Sequence, residues 1–371
     1  MIYLDNSATT KPCPEAVRAV SDALINNFGN PSSRYSLGLD AEKLLKESRA
    51  AVASSLNAEM KNIIFTSGGT ESDNLAILGG ANIKKGSHAV TTAIEHPAVL
   101  NAFSDLEKRG FSVTYLKPDP DGVVSAESVI NAVDDKTSFV SVMHVNNETG
   151  AVMPIEKLAP LIKRKAPRAY FHVDAVQSYG KIPLYPKKWG IDLLSVSSHK
   201  VHGPKGVGAL YKADGVTLHP TIFGGGQENN LRSGTENMPG ISGFAAAARL
   251  IDPMSHHEKM SALKKEFAEK LLALPGVELN GSLERSVPYI LNVSFVGIRS
   301  EIMLNALSEA SVFVSAGSAC AKGTGKANAA LRAQGAPHAD NAIRFSFSRD
   351  TTIEELSEAY KIIIKKLEYL R

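Results

Sequence analysis

Lys200 follows Ser197, Ser198 and His199 and leads into the glycine-rich run "VHGPKGVGALY". At the carboxyl end of an apolar strand, a lysine is badly placed for a solvated surface role. Partial desolvation there makes its neutral, nucleophilic form accessible. A second stretch, "FTSGGTESDN", ends a strand at Thr66 and places Gly68 and Gly69 ahead of Thr70. The glycines let the backbone approach a ligand closely. A helix opened by Thr70, with Asp73 at capping-box distance, would present free N–H groups to a phosphate. An ordinary capped glycine turn has the same pattern. In "FHVDAVQS", Asp174 ends an apolar strand and Gln177 lies three residues on. A buried carboxylate there needs a cation, which a protonated ring nitrogen would supply; a helix N-cap is the other reading.

Four more residues stand out. His96 in "AIEHP" and Asn147 in "MHVNNETG" also follow strands, where a structural histidine and a turn residue are the plainer readings. Arg344 alternates with Ile343 and Phe345 and shares the polar face of its strand with Ser346 and Ser348. From that face it would grip a carboxylate through two N–H groups, or make a structural salt bridge. Cys320 lies in "SAGSACAKGTGKA", among small residues, glycines and two lysines, a setting that favours thiolate over a buried inert thiol. Cys13, between Pro12 and Pro14, reads as structural. Two cysteines make neither a disulfide framework nor a zinc site, and no metal is expected.

These residues must be held by something, and the pattern says what. From about residue 62 to 212, short β-rich runs alternate with helix-length segments such as 70–81 and 97–109. Several runs are continuously apolar, as strands covered on both faces are, which predicts a mainly parallel sheet between helices. Ligands of such sheets bind beyond the carboxyl ends of the strands, where the polar residues cluster. Beyond about residue 240 the pattern changes to a smaller α+β unit. Its last helix opens with Thr352 and Glu355 at capping-box spacing. The expected division is a large domain over 12–255 and a small one from 1–11 together with 256–371. Of the 371 residues 43% are hydrophobic and 21% charged, and the net charge is only +3, so charge gives no case for direct nucleic-acid binding. With no signal-peptide pattern and no apolar run of about 18 residues, the expectation is a cytoplasmic protein with no membrane contact.

A phosphate cradle, a strand-end carboxylate and a strand-end lysine together suit pyridoxal 5'-phosphate (PLP). The chain closely resembles the cysteine desulfurases, PLP enzymes of the class V aminotransferase group with the type I, aspartate aminotransferase-like fold. The resemblance runs nearly end to end, through "YLDNSATT", "FGNPSSRYSLG", "IIFTSGGTESDNLAI", "MHVNNETG", "HVDAVQS", "SSHKVHGPKGVGALY", "GGGQENNLRSGTEN" and "SAGSAC". It implies that Lys200 carries PLP and that Asp174 and Gln177 contact its pyridine nitrogen and phenolic oxygen. His96 would stack on the ring and shuttle protons. Gly69, Thr70, Ser197 and His199 would hold the phosphate, with Thr235 supplied by the neighbouring subunit of a homodimer. Asn147 and Arg344 would hold L-cysteine, and Cys320 would take its sulfur as a persulfide, leaving alanine. After Cys320 the chain reads "AKGTGKANAAL" where many members are serine-rich, a spacing similar to the long-loop branch that hands sulfur to a separate acceptor. That acceptor would be an iron–sulfur scaffold or a tRNA-thiolation enzyme. The chain ends soon after its last helix, whereas members that dock a scaffold tend to have a longer tail. The rival readings are a selenocysteine lyase or another class V reaction, and a catalytically silent sulfur-relay or binding protein of the same fold.

Overall fold

The computed structural model describes residues 1–80, 86–317 and 328–371. After a two-residue strand, β1 (Ile2–Tyr3), come helices α1 (Pro14–Ile25) and α2 (Ser36–Ser55). Pro14 suits the start of α1, where its missing N–H would have no helical partner. Seven strands follow: β2 (Ile63–Thr66), β3 (His88–Thr92), β4 (Ser112–Leu116), β5 (Thr137–Ser141), β6 (Tyr170–Asp174), β7 (Leu193–Ser197) and β8 (Gly208–Lys212). They form one sheet in the order β2-β8-β7-β6-β5-β3-β4. Only β8 runs against the others, so six carboxyl ends share one edge.

Alternation along each strand feeds two cores. Phe65, Val90, Val140 and Val196 point to one face, while Ile64, Ala89, Phe139 and Leu193 point to the other. That explains why several of these strands are apolar or β-branched at consecutive positions. Helix α3 (Gly69–Gly80) packs on the second face through Leu75, Ala76 and Ile77, and α4 (Pro97–Lys108) lies beside it.

A third core gathers around β9 (Val277–Leu279), β10 (Ile290–Phe295) and β12 (Ala342–Ser346), an antiparallel sheet, with β11 (Val312–Phe313) paired to β1. Ile2 and Leu4 join Phe267, Phe345 and Ile363 in that core, so the first residues pack with the last hundred. The closing helix, Ile353–Leu370, carries the expected capping box: Thr352 accepts from the Glu355 N–H, and the Glu355 carboxylate accepts from the Thr352 N–H. Among the described residues no helix is long and apolar enough to cross a membrane.

Two expectations need correction. The run "SFVSVMHV" at 138–145 reads in sequence as a single strand, but the strand stops at Ser141. Beyond it the Val142 and His144 N–H groups still donate to the His172 and Asp174 carbonyls of β6, while the His144 carbonyl accepts from the Met153 N–H and Val145 bridges Val152, so the chain turns to a new partner. Helix α3 begins at Gly69, one residue early, and Asp73 does not cap it. Asp73 turns inward and is buried, 3.6 Å from His172; Glu71 instead accepts from the Ser67 N–H at 2.8 Å.

Candidate active site

The strand ends and the start of α3 enclose a cavity of about 190 Å³. Of the residues singled out in the sequence, Gly69, Thr70, His96, Asn147, Asp174, Gln177, Ser197, His199, Lys200 and Arg344 all line it. Thr235 does not; it is exposed on the loop before helix Met238–Ala248. Cys320 lies outside the described residues.

Local chemistry sets each side chain. After β7 a single turn of 3-10 helix, Ser198–Lys200, swings Lys200 over the strand ends. Its Nζ donates to the carbonyls of Ser7 at 2.5 Å and Ala8 at 2.9 Å. Asp174 ends β6, and its Oδ1 accepts from the Val176 N–H at 2.9 Å, so the carboxylate folds back over its own turn and caps no helix. Burial raises its pKa, while His96 and Lys200 pull it back down. His96 caps α4: its Nδ1 accepts from the Ala98 N–H, which leaves the ring proton on Nε2. Burial pushes His96 below its ordinary value against the opposing pull of Asp174, so the ring is neutral at pH 7. Burial likewise lowers His199 to about 4, and its Nδ1 meets Thr9 Oγ1 at 3.2 Å.

Close backbone approach at the phosphate end depends on glycine. A Cβ on Gly208 would sit 2.7 Å from Gly68 Cα, and one on Gly69 would sit 2.7 Å from Val176 Cγ2. Larger residues would push β8, and the turn after β6 that carries Val176, away from the start of α3.

Arg344 reaches the cavity from β12 with only 2% of its surface exposed. Nη1 donates to the Asn147 carbonyl at 2.7 Å and Nη2 to Asp5 Oδ1 at 2.8 Å, while the buried Nε has no partner. Asp5 therefore supplies the salt bridge, and a spare donor remains for a carboxylate. Sequence reasoning missed Asp5, and also Ser7 and Ala8, whose backbone oxygens leave no side-chain pattern. It missed the polar layer behind Asp174 as well. There the fully buried His172 joins Ser141 Oγ at 2.8 Å to Ser195 Oγ at 3.0 Å, and burial drives it to about 3. Asp73, unpartnered at Oδ1, lies in the same layer, and burial raises its pKa well above the usual carboxylate range. A polar residue in the middle of an otherwise apolar strand, His172 in "YFHVD", was the available signal.

The aminotransferase class-V family model matches residues 2–358. The cysteine desulfurase IscS of Clostridium botulinum is 42% identical over 379 residues, covering 100% of this chain and 95% of its own length. The chain belongs to the cysteine desulfurase family. A solved NifS-like protein superposes with a TM-score of 0.94 at 37% identity, each chain fully covered. The structure described as SspA in complex with cysteine gives 0.84 at 34% identity, covering 95% of this chain and 100% of its own. With such matches the expected type I fold is established.

Class V membership implies PLP, and the cavity fits it. A buried carboxylate, Asp174, the start of α3, Ser197, His199 and Lys200 all line it. The two glycine approaches leave room where a phosphate must meet backbone N–H groups. Lys200, Arg344 and a neutral His96 complete a donor set suited to an anionic cofactor and an amino-acid substrate.

Proposed function

We propose that this protein converts L-cysteine to L-alanine and passes the sulfur, as a persulfide on Cys320, to a separate acceptor protein for iron–sulfur cluster assembly or tRNA thiolation. The meeting of Lys200, Asp174, His96 and the start of α3 in one cavity carries the reading. Family membership over the full length supports it.

Lys200 would hold PLP covalently, Asp174 its ring nitrogen, Gln177 its ring oxygen, and Gly69, Thr70, Ser197 and His199 its phosphate. Bound there, the cofactor supplies an electron sink for the substrate's α-carbon. Asp174 keeps a negative charge beside the ring nitrogen. Arg344 binds the cysteine carboxylate, with Asn147 fixing the guanidinium through its carbonyl. His96, its Nδ1 occupied by the Ala98 N–H, accepts or returns a proton only at Nε2. The Cys320 thiolate attacks the substrate sulfur: a sulfur–sulfur bond forms as the carbon–sulfur bond breaks, and protonation of the carbon leaves alanine.

The working unit in this reading is a cytoplasmic homodimer. Thr235, exposed and away from its own cavity, would complete the phosphate site of the neighbouring subunit. Several large apolar side chains are exposed and available to such pairing, among them Ile25 at 70% and Phe223 at 82%. Each subunit divides into a large domain over 12–255 and a small one from 1–11 with 256–371, consistent with separate cores.

The test is an assay with L-cysteine and a thiol reductant, reading sulfide and alanine together. Equal amounts of both are expected. Lys200→Ala should produce neither and should lose the visible cofactor band that borohydride bleaches. Alanine from the Lys200→Ala enzyme, or a pyridoxyl label on another lysine, would overturn the assignment.

A further inference from the structure

Lys181 is buried, with 6% of its surface exposed, in a turn where a lysine has no structural need to be. The turn is tight. Gly180 has φ +72°, and a Cβ on it would lie 2.7 Å from Val201 Cγ1. The chain therefore doubles back and places the Lys181 ammonium beside the side chain of Gln177. Lys181 Nζ donates to Gln177 Oε1 at 3.0 Å, and Gln177 Nε2 donates to the Ser7 carbonyl at 3.0 Å. That same carbonyl accepts from Lys200 Nζ. Gln177 lines the candidate active-site cavity, whereas Lys181 lines a separate cavity of about 40 Å³; Lys200 lines both.

A carboxamide has a donor end and an acceptor end, exchanged by a half-turn of the side chain. Only one orientation is useful here. If Gln177 contacts the cofactor's ring oxygen, it must offer N–H, because its own oxygen would repel that atom. The Ser7 carbonyl only accepts, so it draws Nε2 toward the site. Lys181 donates from the opposite side and anchors Oε1 there. The second Nε2 hydrogen then remains for the cavity.

We propose that Lys181 is a positioning residue that anchors the Gln177 carboxamide with its N–H end toward the cofactor's ring oxygen. This rests on the reading that Gln177 contacts that oxygen. Removing Lys181 leaves Oε1 buried without a donor, and the side chain gives up its set position. A donor to the ring oxygen favours its anionic form. Losing that donor makes the neighbouring proton harder to remove, so the pH titration of the visible cofactor band moves upward.

The experiment titrates that band in the PLP-loaded enzyme, its variants Lys181→Met and Gln177→Ala, and the double variant. Lys181→Met should raise the midpoint by about one pH unit, the worth of one hydrogen bond. Gln177→Ala should do the same, and the double variant should show no further shift. An equal Lys181→Met shift in both backgrounds would mean that Lys181 acts through its charge on Lys200, and the proposal fails. A shift in Gln177→Ala without one in Lys181→Met also overturns it, while leaving the role of Gln177 intact. No shift in Gln177→Ala removes the underlying reading together with the proposal. Should Lys181→Met not fold, Lys181→Gln takes its place, keeping the cavity polar with a donor too short to reach; an unshifted midpoint there counts against the proposal.

Discussion

Glu95 precedes His96 and is buried, with 5% of its surface exposed. Its Oε1 accepts from Thr92 Oγ1 and from the Met143 N–H, both at 2.8 Å, while Oε2 has no partner. Burial dominates those two bonds and lifts its pKa from 4.5 to about 8, with Asp174 adding to the rise. The folded state therefore prefers the protonated acid. The stability this contributes is fully present below about pH 4.5 and is lost as pH rises toward 8. A shift of 8 − 4.5 pH units is worth about 5 kcal/mol at most, or about 1.4 kcal/mol per pH unit across the window. Glu95→Gln keeps the accepting oxygen and cannot ionise. The variant should match the parent near pH 4.5 and exceed it increasingly up to pH 8, by about 3 kcal/mol at pH 7. Urea midpoints read from the fluorescence of Trp189, the single tryptophan, would show this, with PLP concentration held fixed at each pH. A difference that does not change with pH, or that shrinks as pH rises, would refute the reasoning.

Arg344→Lys should raise the KM for L-cysteine by about tenfold or more, since an ammonium cannot serve Asp5, the Asn147 carbonyl and a substrate carboxylate in one plane. Its visible cofactor spectrum should stay unchanged, and an unchanged KM would leave Arg344 a purely structural partner of Asp5. Cys320→Ala should bind PLP normally yet form neither persulfide nor alanine at a useful rate, whereas Cys13→Ala should be nearly silent. Cys13 is buried against Ala16 and Ala247, away from the cavity. Mass spectrometry after brief exposure to L-cysteine without reductant decides: one added sulfur belongs on the Cys320 peptide, and its appearance on Cys13 would defeat the mechanism.

Much of the large sheet was legible because strands covered on both faces are mostly apolar, as β2 is over Ile63–Phe65. The capping box at Thr352 was legible because both of its bonds lie within three residues. At Thr70 the same spacing misled. The competing pull on Asp73 comes from the polar layer around His172, about a hundred residues away in sequence, which local spacing does not register. The site residues that sequence reasoning found act through side chains at strand ends. Those it missed meet Lys200 through backbone oxygens, as Ser7 and Ala8 do, or touch a second side chain, as Lys181 touches Gln177. Glu95 and Lys181 look in sequence like ordinary solvated charges. Only burial distinguishes them.

The segment from Asp5 to Thr10 lies across the cavity, tied to Arg344, Gln177, Lys200 and His199. Asp5 and Arg344 are 339 residues apart, and β1 hydrogen-bonds to β11 near the far end of the chain. Residues 5–10 thus find their places only once the distant strands β11 and β12 have formed. Such distant closure is slow, and until it occurs Lys200 lacks the carbonyls that hold it and Arg344 lacks its counter-charge. The cofactor cradle is therefore finished only when these distant segments have met, and a cofactor arriving earlier would find a half-built site. The docking of residues 5–10 thereby ties completion of the cradle to completion of the sheet that carries Arg344.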